Sequence, residues 1–188
     1  NQWCDAFLNG KRQPRFGGAP LDWIVVKNVS YIRISRLKIS NYTAGNYGIR
    51  LSGVSHIIVQ SNVVVNSMNS VGDREFQIDA ETGGSCTSNQ IIGNRAISNQ
   101  GMGFEFRASA ANNAVSSQNN FYYNTSINPS GDFGFGIFTS AAGITISGNY
   151  AVANFKHGIG IQGAGPFTRI RIISNMVAKN NLSGFEIK

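Results

Sequence analysis

The residues with the most obvious chemistry lie in one short stretch. GDREFQIDAE, residues 72–81, holds Asp73, Glu75, Asp79 and Glu81, four of the nine acids in a chain of 188 residues. Neighbouring carboxylates have three uses. One can stay protonated as a general acid while the other stays ionised. Both can ligate a hard cation such as calcium through oxygen. Each can also simply pair with an arginine, and Arg50, Arg74 and Arg107 are candidates for that. For a hydrolase, Asp79 with Glu75 or Glu105 is the best acid/base pair. For a lyase, which removes a proton alpha to a uronate carboxyl, Arg107 is the leading base or charge neutraliser, and Arg50 could hold the carboxylate. Glu75, Asp79 and Glu81 form the candidate calcium set, and no other cofactor is expected. Gln77, Arg50, Lys156 and His157 are the candidate substrate contacts. His56 begins a strand and reads as a surface or packing residue. Two isolated histidines and two distant cysteines lack the spacing of a zinc site.

Such residues need a scaffold, and the chain is built from repeats. One pattern is a small residue followed by apolar, variable, apolar: GIRL (48–51), EFQI (75–78), GFEF (103–106), GIGI (158–161) and GFEI (184–187), with GIFT (136–139) as a looser copy. Between these copies lies a second pattern, a short apolar strand, Asn, another strand and Asn. It appears as IIVQSNVVVN, IIGNRAISN, QNNFYYN, ITISGNYAVAN and IRIISNMVAKN. IRISRLKISN (32–41) fits with Arg36 and lacks the medial Asn. Alternation has period two and no helical stripe. Each unit therefore holds about three very short strands, which suit successive sides of a coil stacked in parallel on the next. Asn suits the corners because it tolerates left-handed backbone and can bond from coil to coil.

The expected fold is an all-β right-handed parallel β-helix of about six to seven short coils over 21–188, with residues 1–20 as an N-terminal cover. The chain stops at Lys188 directly after a strand copy, so the C-terminal end is expected to meet further coils or another subunit, as part of something longer. YIRISRLKISN (31–41), followed by YGIRLSGVSHIIVQSNVVVN (47–66), resembles the parallel β-helix repeat of the pectate-lyase-like superfamily, and the likeness runs over 24–187. It implies the fold and a secreted or cell-surface setting. It leaves function open, because lyases, hydrolases, epimerases, tailspikes and adhesins share it, and no catalytic signature carries over residue by residue.

Ile49 and Leu51, Phe76 and Ile78, Phe104 and Phe106, Ile159 and Ile161, and Phe185 and Ile187 should point inward. Phe121, Ile144, Ile146, Ile170, Ile172 and Val177 should line the other walls. The outward positions then read as rows: Arg50, Gln77, Glu105, Phe138, Gly160, Glu186, and beside them Ser52, Asp79, Arg107, Ser140, Gln162. Coils stack about 4.8 Å apart, so the acids and arginines should share one patch. Gly48, Gly103, Gly136, Gly158 and Gly184, with Glu75 in the same row, should make a shallow floor next to it.

The formal charge of +7 favours an acidic partner. Acidic polysaccharide is the expected one. The basic residues are dispersed and no nucleic-acid motif accompanies them, so nucleic acid is not. No apolar run approaches membrane-spanning length. Cys4 and Cys86 could form one disulfide or stay as two thiols. Sequons at Asn28, Asn41, Asn124 and Asn181 are weak evidence for secretion in so Asn-rich a chain. The expected function is a lyase or glycoside hydrolase on an acidic polysaccharide. The alternative is a non-catalytic glycan-binding or structural shaft.

Overall fold

A computed structural model describes residues 4–6, 22–40, 47–66, 74–80, 84–108, 116–128, 130, 132–139, 141–163 and 166–188. The expected N-terminal cover lies outside these residues, except that Cys4–Ala6 forms a strand pairing with Ile32–Ile34. Every described element is a strand, and every pairing is parallel to a strand one coil away. The first sheet stacks Asp22–Lys27, Tyr47–Ser52, Arg74–Ala80, Met102–Ala108, Phe135–Thr139, His157–Gln162 and Ser183–Ile187. The second runs from Cys4–Ala6 through Ile32–Ser35, Ile58–Gln60, Gln90–Ile92, Asn120–Tyr122 and Thr145–Ser147 to Arg171–Ile173. The third holds Lys38–Ser40, Val63–Val65, Arg95–Ile97, Thr125–Ile127, Tyr150–Val152 and Met176–Ala178. Second- and third-sheet strands are three or four residues long, about 10 Å of chain each. They can be no more than sides of a coil.

Ile24, Ile49, Phe76, Phe104, Phe135, Ile159 and Phe185 stand in register down the first sheet, so successive coils take 25, 27, 28, 31, 24 and 26 residues. The repeat at the fifth of these strands is therefore GFGI, 134–137, and not GIFT. Alternation permits both frames. Stacking decides, because Phe135 lies on Phe104 with centroids 4.7 Å apart and Phe104 lies on Phe76 at 4.8 Å, all nearly coplanar. Phe121 closes this stack edge-on from the second sheet at 6.5 Å. The inward pairs up to Ile161 are buried, as are Phe121, Ile144 and Ile146, while Ile170, Ile172 and Val177 are partly buried against them. Phe185 and Ile187 keep the inward register but are 44% and 68% exposed, since they lie on the last strand of the stack.

The asparagines do something more specific than fill corners. Asn62, Asn94, Asn124, Asn149 and Asn175 form one ladder from coil to coil. Asn124 is typical. Its Nδ2 donates to the Ile91 carbonyl at 2.7 Å and to Asn149 Oδ1 at 3.0 Å, and its Oδ1 accepts from the Asn94 backbone N–H and side-chain Nδ2 at 2.9 and 3.1 Å. Asn89–Asn119 and Asn154–Asn180 bond the same way at the other two corners. Where the first coil lacks the medial Asn, Leu37 donates its backbone N–H to Asn62 Oδ1 at 3.0 Å. Asn124 is wholly buried by this bonding, so its sequon is closed to modification in the folded chain.

The left-handed turn falls on the residue just before the ladder asparagine. Ser61, Gln118, Tyr123, Ala153, Ser174 and Lys179 all have φ of 53–58°. Among the described residues, only Asn28 and Asn66 of the positive-φ non-glycines are asparagine. Asn is used for its amide, whose donors and acceptor satisfy buried backbone groups on both flanking coils. The corner strain, about 1 kcal/mol or more per non-Gly residue, is carried by whatever residue precedes it.

Two substitutions separate these effects. Asn124→Leu removes four buried hydrogen bonds and should cost about 3–5 kcal/mol in urea denaturation. Ser98→Gly relieves a left-handed φ of 55° at an exposed corner and should raise stability by about 0.5–1 kcal/mol.

Candidate functional site

Period-two alternation puts Arg50, Gln77, Glu105, Gly136, Gly160 and Glu186 in one outward row of the first sheet, with Ser52, Asp79, Arg107, Phe138 and Gln162 in the next. Phe138 thus takes the place expected for Ser140, which lies outside the described residues. A further outward row precedes them: Tyr47, Arg74, Met102, Phe133, His157 and Ser183.

The acids are brought together but not left open. Glu105 is 0% exposed, Asp79 and Gln77 are each 2%. Asp79 pairs with Arg50, whose Nε donates to Oδ2 at 3.1 Å and whose guanidinium lies 4.6 Å over the Tyr47 ring. Glu105 pairs with Arg74, and Gln77 Nε2 reaches its other oxygen at 3.4 Å. Arg107 stands in register beside Asp79 and adds its charge to the field at Glu105. Burial pushes the Glu105 carboxyl above the usual range, against the downward pull of Arg74, Arg107 and Gln77. Cys86, also buried, donates its thiol to the Asp79 carbonyl at 3.5 Å, and burial raises its pKa too.

Glu75 departs from the expected patch. It falls in the row of Gly48, Gly103, Gly134, Gly158 and Gly184, one residue ahead of the first inward position. This row turns its Cβ direction across the corner toward the third sheet. A Cβ on Gly134 would stand 3.1 Å from that of Ala151 and 2.8 Å from Asn154 Nδ2, and one on Gly158 would meet Val177 and Asn180. Glu75 is the member of the row that carries a carboxylate, and it is 0% exposed. The row is inward, so it makes no floor beside the acids. Nor do the outward glycines form one: the Phe133 ring covers Gly160, and Phe138 with Met102 covers Gly136. Of the calcium set, Glu81 lies outside the described residues, Asp79 is engaged by Arg50, and Glu75 belongs to the inward row. No group of three or more His, Cys, Asp or Glu among the described residues could hold a metal ion.

Lys156 and His157 belong to a separate cluster nearer the C-terminal coils. Lys156 Nζ lies 3.0 Å from Asp132 Oδ1 and 5.8 Å from the Phe133 ring centroid. His157 stacks on Phe133 at 5.0 Å. Its Nδ1 is 2.5 Å from Ser183 Oγ and its Nε2 is 3.3 Å from Glu186 Oε2. Gln162 and Lys188 also hold Glu186, the latter at 2.6 Å, and hydrogen bonding from Lys188 lowers its pKa. Sequence reasoning named His157 but missed Ser183 and Glu186 as its partners. The aligned strand copies HGIGI and SGFEI (157–161 and 183–187) were the available signal.

Charge is segregated by sheet. The described acidic residues are Asp5, on the second sheet in register with Arg33, and Asp22, Glu75, Asp79, Glu105, Asp132 and Glu186, all on first-sheet strands or, for Asp132, in the turn before one. From Ile32 onward, the described residues of the second and third sheets and of the turns beside them contain no acid other than Asp132. They carry Arg33, Arg36, Lys38, Arg95, Arg169, Arg171 and Lys179. Dispersed charge in the sequence becomes faces with an excess of cations once the coil is wound.

Residues 22–188 match the family described as right-handed β-helix region. With nearly the whole chain matched, the protein belongs to that family. No curated protein and no solved structure matches the chain. No helix among the described residues is long and apolar enough to cross a membrane.

The Glu105 environment has a measurable consequence. A carboxyl whose pKa is raised by folding takes up a proton more readily in the folded than in the unfolded chain. Stability then falls as pH rises from the ordinary value of 4.5 through the raised folded pKa. Relative to Glu105→Gln, the wild type should gain stability as pH is lowered from neutral and level off below that ordinary value. Urea melts of both proteins across this range would read it. Parallel curves would show that Glu105 does not titrate differently on folding.

Proposed function

We propose that this β-helix is a polysaccharide-binding protein of the cell surface or secreted space, and that its ligand is an acidic glycan lying across the second and third sheets. The supporting observation is the excess of cations on those two faces, whose described strands carry one acid, Asp5, against Arg33, Lys38, Arg95 and Arg171. The acids first suspected of chemistry are buried against arginines on the first sheet, so that face largely neutralises itself. The excess cations, among them Arg36, Lys38 and Arg95, lie elsewhere.

The corner between the second and third sheets combines charge with ring surface. Arg36 and Tyr123 share the left-handed corner row, and Lys38, Arg95, Thr125 and Tyr150 share the adjoining outward row. Tyr123 is 72% exposed with its ring lying along Gly148, and Tyr150 is 37% exposed. An aromatic ring offers an apolar face to the C–H side of a sugar and a hydroxyl to its edge. Lys38 and Arg95 are two coils apart, about 9.6 Å from the coil spacing. That sparse charge, mixed with hydroxyls and rings, suits a hydroxylated polymer with moderate charge better than duplex nucleic acid, which carries one charge per about 1.7 Å.

Affinity chromatography and calorimetry on polygalacturonate or alginate would test this, with a neutral glucan and duplex DNA as controls. Binding should fall with salt. The variant Arg36→Gln/Lys38→Gln/Arg95→Gln should weaken it about tenfold, at about 0.5 kcal/mol per exposed charge, and Tyr123→Ala should weaken it further. Arg50→Gln/Asp79→Asn should bind as the wild type does. Tighter binding to DNA, or loss only in the Arg50/Asp79 variant, would overturn the reading.

A further inference from the structure

The geometry points to an acyl-transfer site at the C-terminal coils, in which Ser183 is the nucleophile, His157 the general base and Glu186 the positioning residue. The substrate class is a small-acyl ester of a polar alcohol. This site lies on the first sheet, apart from the cationic faces, and does not rest on polysaccharide binding there.

The hydrogen bonds set the roles. His157 Nε2 lies 3.3 Å from Glu186 Oε2 as an ion-pair contact, and the carboxylate, which can only accept, favours the ring tautomer protonated at Nε2. In that tautomer Nδ1 is an acceptor, and Ser183 Oγ, 2.5 Å from it, is placed to donate. The ring thus withdraws the hydroxyl proton from Ser183 and is oriented by an acid behind it, as a serine–histidine–acid constellation requires. The two ring nitrogens exchange their usual places, which leaves the proton path intact. Ser183 Oγ has a competing contact, the Phe185 carbonyl at 3.1 Å, and the shorter contact to Nδ1 favours the reactive orientation.

The surroundings are consistent with this use. His157 is held against Phe133, and Phe133 lies over Gly160, so the base is fixed between a ring and a bare backbone. Ser183 remains partly exposed. The charged groups around His157 are Glu186, Lys188 bound to that carboxylate, Lys156 next in sequence, and Asp132 paired with Lys156.

In the reaction, Ser183 Oγ attacks the ester carbonyl carbon as its proton passes to Nδ1. The C–O bond to the alcohol breaks, and the alcohol leaves with the proton from Nδ1. Water then attacks the acyl-serine and gives a proton to Nδ1. The C–Oγ bond breaks, the proton returns to Oγ, and the carboxylic acid departs.

p-Nitrophenyl acetate is the probe. The expected result is a burst of nitrophenolate and one acetyl group on the peptide carrying Ser183, found by mass spectrometry after acid quench. Ser183→Ala and His157→Gln should each reduce the burst at least tenfold, with circular dichroism melts showing that both fold. Nitrogen-15 correlation spectra should show His157 protonated at Nε2 in the wild type and a mixture of tautomers in Glu186→Gln, with Glu186→Asp restoring the single tautomer. Acetyl found only on lysines, or an unchanged burst in a folded Ser183→Ala protein, would overturn the assignment. So would a His157 ring protonated at Nδ1.

Discussion

A parallel coil leaves backbone and side-chain polar groups buried at every corner, and each must be satisfied by the coil above or below. The Asn ladders meet that demand. Each amide accepts from one neighbour and donates to both, so no rung is complete alone. The corner conformation, the register of all three sheets and the stacking of Phe76, Phe104 and Phe135 all depend on this coupling, because a slip of one residue would orphan a ladder amide inside the core. Buried unpaired amides cost enough to make such slips unfavourable.

The same stacking distributes charge. Residues about 25–30 positions apart become neighbours at one β spacing, so a carboxylate on one coil meets an arginine on the next. On the first sheet this produces Arg50–Asp79 and Arg74–Glu105, both largely withdrawn from solvent. Pairing the acids there leaves the strands of the third sheet, with Lys38 and Arg95 on them and Arg36 at their corner, without an acid among the described residues. A surface that attracts polyanions arises as much from where the acids are sequestered as from where the bases stand.

Winding also brings His157 onto Ser183 and Glu186. The polar residues of successive coils become close neighbours, each held by a strand, which is the rigid support that positioned chemistry needs. Glycine contributes by omission: Gly160 gives Phe133 a seat beside the imidazole, and a side chain there would displace the ring.

The amino-acid sequence by itself determined the architecture. Period-two alternation, the recurring Asn and the aligned copies of small–apolar–variable–apolar left a β-helix as the consistent solution, and they named nearly all of the inward residues. Their periodicity is local, so it survives without coordinates. It could not decide the frame at Phe135, because Gly134–Ile137 and Gly136–Thr139 alternate equally well and only contact with Phe104 distinguishes them. It could not decide that Glu75 lies in the inward row, since the strand departs from strict alternation there. Burial of Asp79 and Glu105, the cationic excess of the second and third sheets, and the meeting of His157 with Ser183 and Glu186 were likewise settled by tertiary structure. Each depends on which coil lies against which, and coil lengths that vary from 24 to 31 residues set that register through stacking contacts no local pattern encodes.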